Sequence, residues 1–195
     1  MSLSPSPVPR SSKVALVAGG AQLQVDLADM GALEAVFDRL SRSRGQFAKQ
    51  RRGLANALAR KLAAIEPLPR DHPDAVLCSF ANPKSAKAID ERLNELLAAP
   101  GAIDHTAKYR NGPRLVEMHG QTFLRPTLIV CDDLNHPLAN TEYGFPFASV
   151  LQVPQAKMIG QIGESLVVSA FTHPFWTALK RSKDPRIARC SMTGV

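Results

Sequence analysis

The sequence predicts an α/β fold: a mainly parallel open sheet with flanking helices. Short β-branched apolar runs alternate with segments whose apolar residues recur at helical spacing. The hydrophobic period changes from 3.6 in the first half to 2 beyond Pro100–Gly101, and proline or glycine marks most of the boundaries. At 195 residues the chain is long enough for one domain with a sizeable core. Residues 1–12 are Ser/Pro-rich and are expected to form a disordered tail, with the domain occupying 13–195.

Lys13-Val-Ala-Leu-Val-Ala-Gly-Gly predicts a buried strand ending in a tight turn. Leu33, Val36, Phe37 and Leu40 make the apolar stripe of a first helix. Ser41 to Arg52 break that periodicity. A second helix carries Leu54, Leu58, Leu62 and Ile65 on one face and must stop before Pro67 and Pro69. Asn82–Pro83 reads as an N-cap followed by proline at the first helical position. Ala86, Ile89, Leu93, Leu96 and Leu97 then form the buried stripe of a third helix. Strands are expected over Arg114–Met118, Thr127–Cys131, Phe147–Val153 and Leu166–Phe171. A short helix with Met158, Ile159 and Ile162 opens at Pro154, and another starts near Pro174.

A composition of 45% hydrophobic and 21% charged residues is that of an ordinary globular protein. No apolar run approaches the roughly 18–20 residues of a membrane-spanning helix, and the start of the chain lacks a secretory signal, so a cytoplasmic location without membrane contact is expected. Cys78, Cys131 and Cys190 are odd in number and widely spaced, which suits reduced thiols. They form no zinc-ligand pattern with the five histidines, so no metal site is expected. The net charge of +7 concentrates between Arg39 and Lys61, where eight basic residues occur without an acid. Such a run can bind nucleic acid. It contains only Phe47 as an aromatic, and a solvated helix face explains it more simply.

The opening segment Lys13–Ala21 resembles the first strand and turn of short-chain dehydrogenases, whose glycines admit a pyrophosphate. That pattern fails in the next residues. Ala21-Gln-Leu-Gln-Val has no glycine, Asp26 comes too early to hold a ribose, and neither Tyr109 nor Tyr143 has a lysine four residues later.

A second resemblance covers most of the chain, from Leu16 to Thr172. It rests on Leu16-Val-Ala-Gly-Gly, the acidic turn and helix Val25–Phe37, Gly45-Gln-Phe-Ala48, Phe123-Leu-Arg-Pro-Thr-Leu, Asn140-Thr-Glu-Tyr-Gly-Phe-Pro-Phe and Ser169-Ala-Phe-Thr. In this order they resemble the catalytic domain of the NAD(P)-dependent aldehyde dehydrogenase superfamily. The intervals are close to those the family keeps between general base, nucleophile and ribose-binding glutamate: 31 residues from position 17 to 48 and 94 from 48 to 142.

The resemblance implies oxidation of an aldehyde to an acid, with a cysteine nucleophile, a glutamate base and NAD or NADP as cofactor. It places Ala48 at the nucleophile and Val17 at the base. Neither side chain can do that chemistry, and there is no cysteine before Cys78. The expectation is therefore a chain with no catalytic residues of its own, inactive alone. Glu142 falls on the ribose-binding glutamate and Phe145 on the cofactor-stacking phenylalanine, although Gly144–Phe145 reverses the family order. The resemblance covers only the catalytic-domain portion, so half a nucleotide pocket is expected. The expected partner is a second copy or an aldehyde dehydrogenase subunit. The alternatives are a non-catalytic pseudoenzyme or truncated product that binds such a subunit and, third, a basic nucleic-acid-binding module.

No Gly-x-Ser-x-Gly elbow is present. His136–Pro137 and His173–Pro174 read as turn or cap histidines, and Cys78 and Cys131 as packing thiols. The adjoining Asp132–Asp133 charges oppose a thiolate at Cys131.

Overall fold

The structure is a computed structural model that describes residues 12–18, 47–139, 141–154, 157, 160–161, 165–170, 185 and 187–192. The expected helix at Leu33–Leu40, the turn at Gly19–Gly20 and the helix near Pro174 lie outside these residues, as does the tail before Ser12. Of the helix expected after Pro154, only Lys157, Gly160 and Gln161 are described, and they are helical.

The elements are β1 (Ser12–Ala18), α1 (Phe47–Ala63), α2 (Pro83–Ala98), β2 (Ala102–Asp104), β3 (Leu115–Met118), β4 (Gln121–Leu124), β5 (Thr127–Cys131), β6 (Phe147–Pro154), β7 (Ser165–Ala170) and β8 (Ile187–Met192). Single 3-10 turns occur at Thr106–Lys108 and Pro137–Ala139. Two compact units result, one spanning Val14–Gln152 and the other containing β7 and β8.

Helices and mixed sheets give the molecule its α/β character. In the first unit a four-stranded sheet runs in the order β1-β6-β5-β2. Its pair β5–β6 is parallel, with Thr127 opposite Phe147 and Val130 opposite Val150. β2 adds itself antiparallel, Ala102 opposite Cys131 and Asp104 opposite Ile129. β7 and β8 pair in parallel in the second unit. β5 is buried at every residue, as expected of a strand flanked on both sides and covered by a helix.

α1 supplies that cover. Ala55, Leu58 and Ala59 pack with Leu128, Val130 and Val150, and Leu62 joins from the rim. Small alanines on the contact stripe let the helix approach closely. Arg60 lies over the Tyr109 ring at 5.0 Å and fastens the far side of the helix to the turn after β2. The helix begins at Phe47, several residues before the expected start, inside the segment read as a break. Ala48, Lys49, Gln50, Arg51 and Arg52 are all good helix formers, so propensity extends the helix where apolar periodicity is silent.

α2 matches its sequence signals closely. Asn82 Oδ1 accepts the Lys84 N–H at 3.0 Å, Pro83 opens the helix, and Ala86 and Leu93 are buried. α2 packs on β2 and on the hairpin of β3 and β4. That hairpin pairs Leu115–Met118 with Gln121–Leu124 through His119–Gly120, whose φ values of 50° and 73° make the two-residue turn that suits twisted strands. β2, β4 and β8 are strands the pattern did not predict. β2 has three residues and β4 has Thr122, Phe123 and Leu124 buried in succession, so neither shows an alternation long enough to read.

Candidate functional site

The segment leading into β6 carries Glu142 and Phe145, two of the four residues singled out by the family resemblance, and three attachments hold it in place. Thr141 Oγ1 donates to the Pro137 carbonyl at 2.5 Å, and the Pro146 carbonyl accepts the Thr127 N–H at 3.0 Å. Between them, three rings pack together: Tyr143 meets Phe147 edge-on at 4.9 Å, and Phe145 lies 5.9 Å from each of the other two. Phe145 is only 2% exposed, so its ring is committed to this packing. Glu142 points its carboxylate to solvent from the same segment. Gly144 has open space where a Cβ would stand, so nothing around it demands glycine.

Val17 lies in β1, which neighbours β6, and Ala48 in the first turn of α1, which packs on β5. Position 17 thus lies on the strand beside the one that the Glu142 segment enters. The side chains of Val17 and Ala48 lie outside the described residues, as do Asn140 and His173.

Next to the aromatic segment is an ion-pair network that the sequence reading did not foresee. Asp104, at the end of β2, accepts from Thr106 Oγ1 at 2.5 Å, the Ala107 N–H at 3.1 Å, Arg110 Nη2 at 3.0 Å and Arg114 Nη2 at 3.5 Å. Arg114 also donates to Asp90 at 3.0 Å and Asn94 at 3.3 Å on α2. The side chains of Asp104, Arg110 and Arg114 are all at least nine-tenths buried. Two arginines face two aspartates, so the cluster is neutral. Asp104 has its lone pairs occupied and is a structural anchor, not a base. No sequence period marks these residues, because they come from a strand end, a turn, a loop and a helix. The one legible hint was Asp104 two residues before Thr106, a pattern that favours a local side-chain turn.

Burial pushes the Tyr143 phenol above its ordinary range, and the charges of Arg92 and Arg114 partly oppose the shift. Tyr143 is therefore a neutral hydrogen-bond donor at neutral pH. His136 caps its turn: its Nδ1 accepts the Leu138 N–H at 3.2 Å. His105 Nε2 lies 3.0 Å from Asn56 Oδ1, tying β2 to α1. Cys131 is buried at the end of β5 and Cys78 is exposed, neither in a disulfide. Among the described residues, no group of three or more His, Cys, Asp or Glu side chains is placed to hold a metal ion. No described helix is long and apolar enough to cross a membrane.

Of the side chains in this region, Glu142 is an exposed carboxylate. Searches against family models and curated proteins return no match to this chain.

Proposed function

We propose that this chain is an aldehyde dehydrogenase-like protein that has lost the covalent chemistry and retains dinucleotide recognition through Glu142. The observation that carries the reading is the order and spacing of the motifs, with alanine and valine standing at both positions where the resemblance requires reactive groups. The methyl of Ala48 has no lone pair to attack a carbonyl, and Val17 cannot take a proton from water. Support also comes from the segment before β6, where Glu142 is exposed and the neighbouring Tyr143, Phe145 and Phe147 rings pack together. In this reading Glu142 accepts the ribose hydroxyls of NAD or NADP. Phe145 acts from beneath, fixing the segment's path.

The test is a calorimetric titration of the purified chain with NAD+ and with NADP+, beside an aldehyde panel followed by absorbance of the reduced cofactor. Binding of one dinucleotide without turnover is expected. Glu142→Ala should weaken it by about tenfold, the scale of one charged hydrogen bond. Turnover by the pure chain would overturn the assignments of Ala48 and Val17 and direct attention to Cys78 or Cys131. Absence of dinucleotide binding would overturn the role given to Glu142.

A further inference from the structure

Asn111–Gly112 sits in the exposed loop between the Thr106–Lys108 turn and β3. An asparagine followed by glycine is chemically fragile, because the glycine amide nitrogen can attack the asparagine side-chain carbonyl with no Cβ in its way. Folded proteins ordinarily suppress this reaction by holding the amide in a hydrogen bond or the side chain in a fixed rotamer. Three features of this loop act in the opposite direction.

Arg125 Nη1 donates to the Asn111 backbone carbonyl at 2.5 Å. That oxygen belongs to the same peptide unit as the Gly112 N–H. A guanidinium on it stabilises the imidate formed when the N–H loses its proton, and so raises the population of the nucleophile. Among the described residues nothing accepts the Gly112 N–H and nothing holds the Asn111 side-chain amide. Gly112 has φ +93°, a conformation that glycine adopts without strain. Arg125 is itself held by Glu66 through its other terminal nitrogen, so the activating contact is braced from two sides.

We propose that Asn111 is a modification site at which the folded chain promotes its own deamidation, with Arg125 as the activating group. Hydroxide or water removes the Gly112 amide proton. The Gly112 nitrogen bonds to Asn111 Cγ, the bond from Cγ to Nδ2 breaks, and that nitrogen leaves as ammonia after gaining a proton. Water then opens the five-membered imide at either carbonyl, giving aspartate or isoaspartate. No oxidant, metal or other co-reactant is needed. The product carries one new negative charge beside Arg125, where it competes with Glu66 for the guanidinium.

The experiment incubates the full chain at neutral pH and follows the Asn111 peptide by mass spectrometry, reading the replacement of NH2 by OH and the appearance of an isoaspartyl isomer. It is run on the native chain, on Arg125→Gln and on both in concentrated urea. Native chain should react up to about tenfold faster than folded Arg125→Gln, which corresponds to about 1.4 kcal/mol of barrier, and the two should react alike in urea. Hydrogen exchange at the Gly112 amide supplies a second readout: base-catalysed exchange there should slow in Arg125→Gln while that of Leu128 and Ile129 in β5 stays unchanged, which also reports that the variant is folded. Equal rates for the two folded chains, or an Asn111 that reacts in urea and stays intact in the native chain, would overturn the proposal. Should Arg125→Gln fail to fold, Arg125→Lys keeps a cation at the carbonyl and is expected to react near the native rate; a rate as slow as that of a fully protected asparagine would sink the idea equally.

Discussion

Glu142 and Phe145 are three residues apart and play opposite parts: one faces water, the other is sealed in the core. Their residue types were readable as candidates, whereas the division of labour depended on Tyr143 and Phe147 closing over the Phe145 ring. Tyr143 leads to a pH prediction. Its ionisation lies near pH 10 in an unfolded chain, and burial raises it in the folded one. The folded state then binds the proton more tightly, so this contribution to stability is complete below about pH 10 and is lost as pH rises through the folded value. Chemical denaturation stepped upward from neutral pH should show native protein losing stability on the alkaline side more steeply than Tyr143→Phe. Parallel curves would mean that the phenol is solvated in the native state.

At the scale of elements, α2 shows what local signals can specify. The Asn82 cap, the proline at the first helical position and the stripe from Ala86 to Leu97 all lie within one contiguous segment, and the helix forms where they place it. Asn82→Ala removes an acceptor for the Lys84 N–H and should cost about 1 kcal/mol, read as a lower denaturation midpoint at unchanged slope. The β3–β4 hairpin makes the complementary point. Its turn requires positive φ at both His119 and Gly120, and histidine pays a steric penalty there that glycine does not. His119→Gly is expected to stabilise the chain by a few tenths to about 1 kcal/mol, measurable by the same denaturation. A loss of stability instead would show that the imidazole contributes more than its backbone strain costs. α1 falls between the two cases: Leu58 and Leu62 pack on the sheet as expected, but the helix ends at Ala63, before Ile65, its buried contacts include Ala55 and Ala59, which apolar spacing does not mark, and its start at Phe47 follows from residue propensity.

For the molecule as a whole, β5 is the most protected element described. It is hydrogen-bonded to β6 on one side and β2 on the other, and α1 covers it with Ala55, Leu58 and Ala59. Amides of Leu128, Ile129 and Val130 should therefore exchange most slowly, approaching the global unfolding rate, while those of the hairpin turn exchange early. Fast exchange in β5 would contradict the packing. The parallel register of β5 on β6 also brings the segment carrying Glu142 to the end of the sheet where Thr127 begins.

By itself the sequence determined the α/β character, the course of α2 and the strands β5 and β6. These are properties of residue type and of spacing over a few turns, which local physics reads directly. Tertiary structure alone decided the antiparallel seat of β2, the hairpin, the sealing of Phe145 and the meeting of Asp104, Arg110, Arg114 and Asp90. The reason is range. Asp90 and Arg114 stand 24 residues apart, and their attraction is strong only once burial has removed water from between them. No local pattern encodes a contact that exists only after the chain has closed around it.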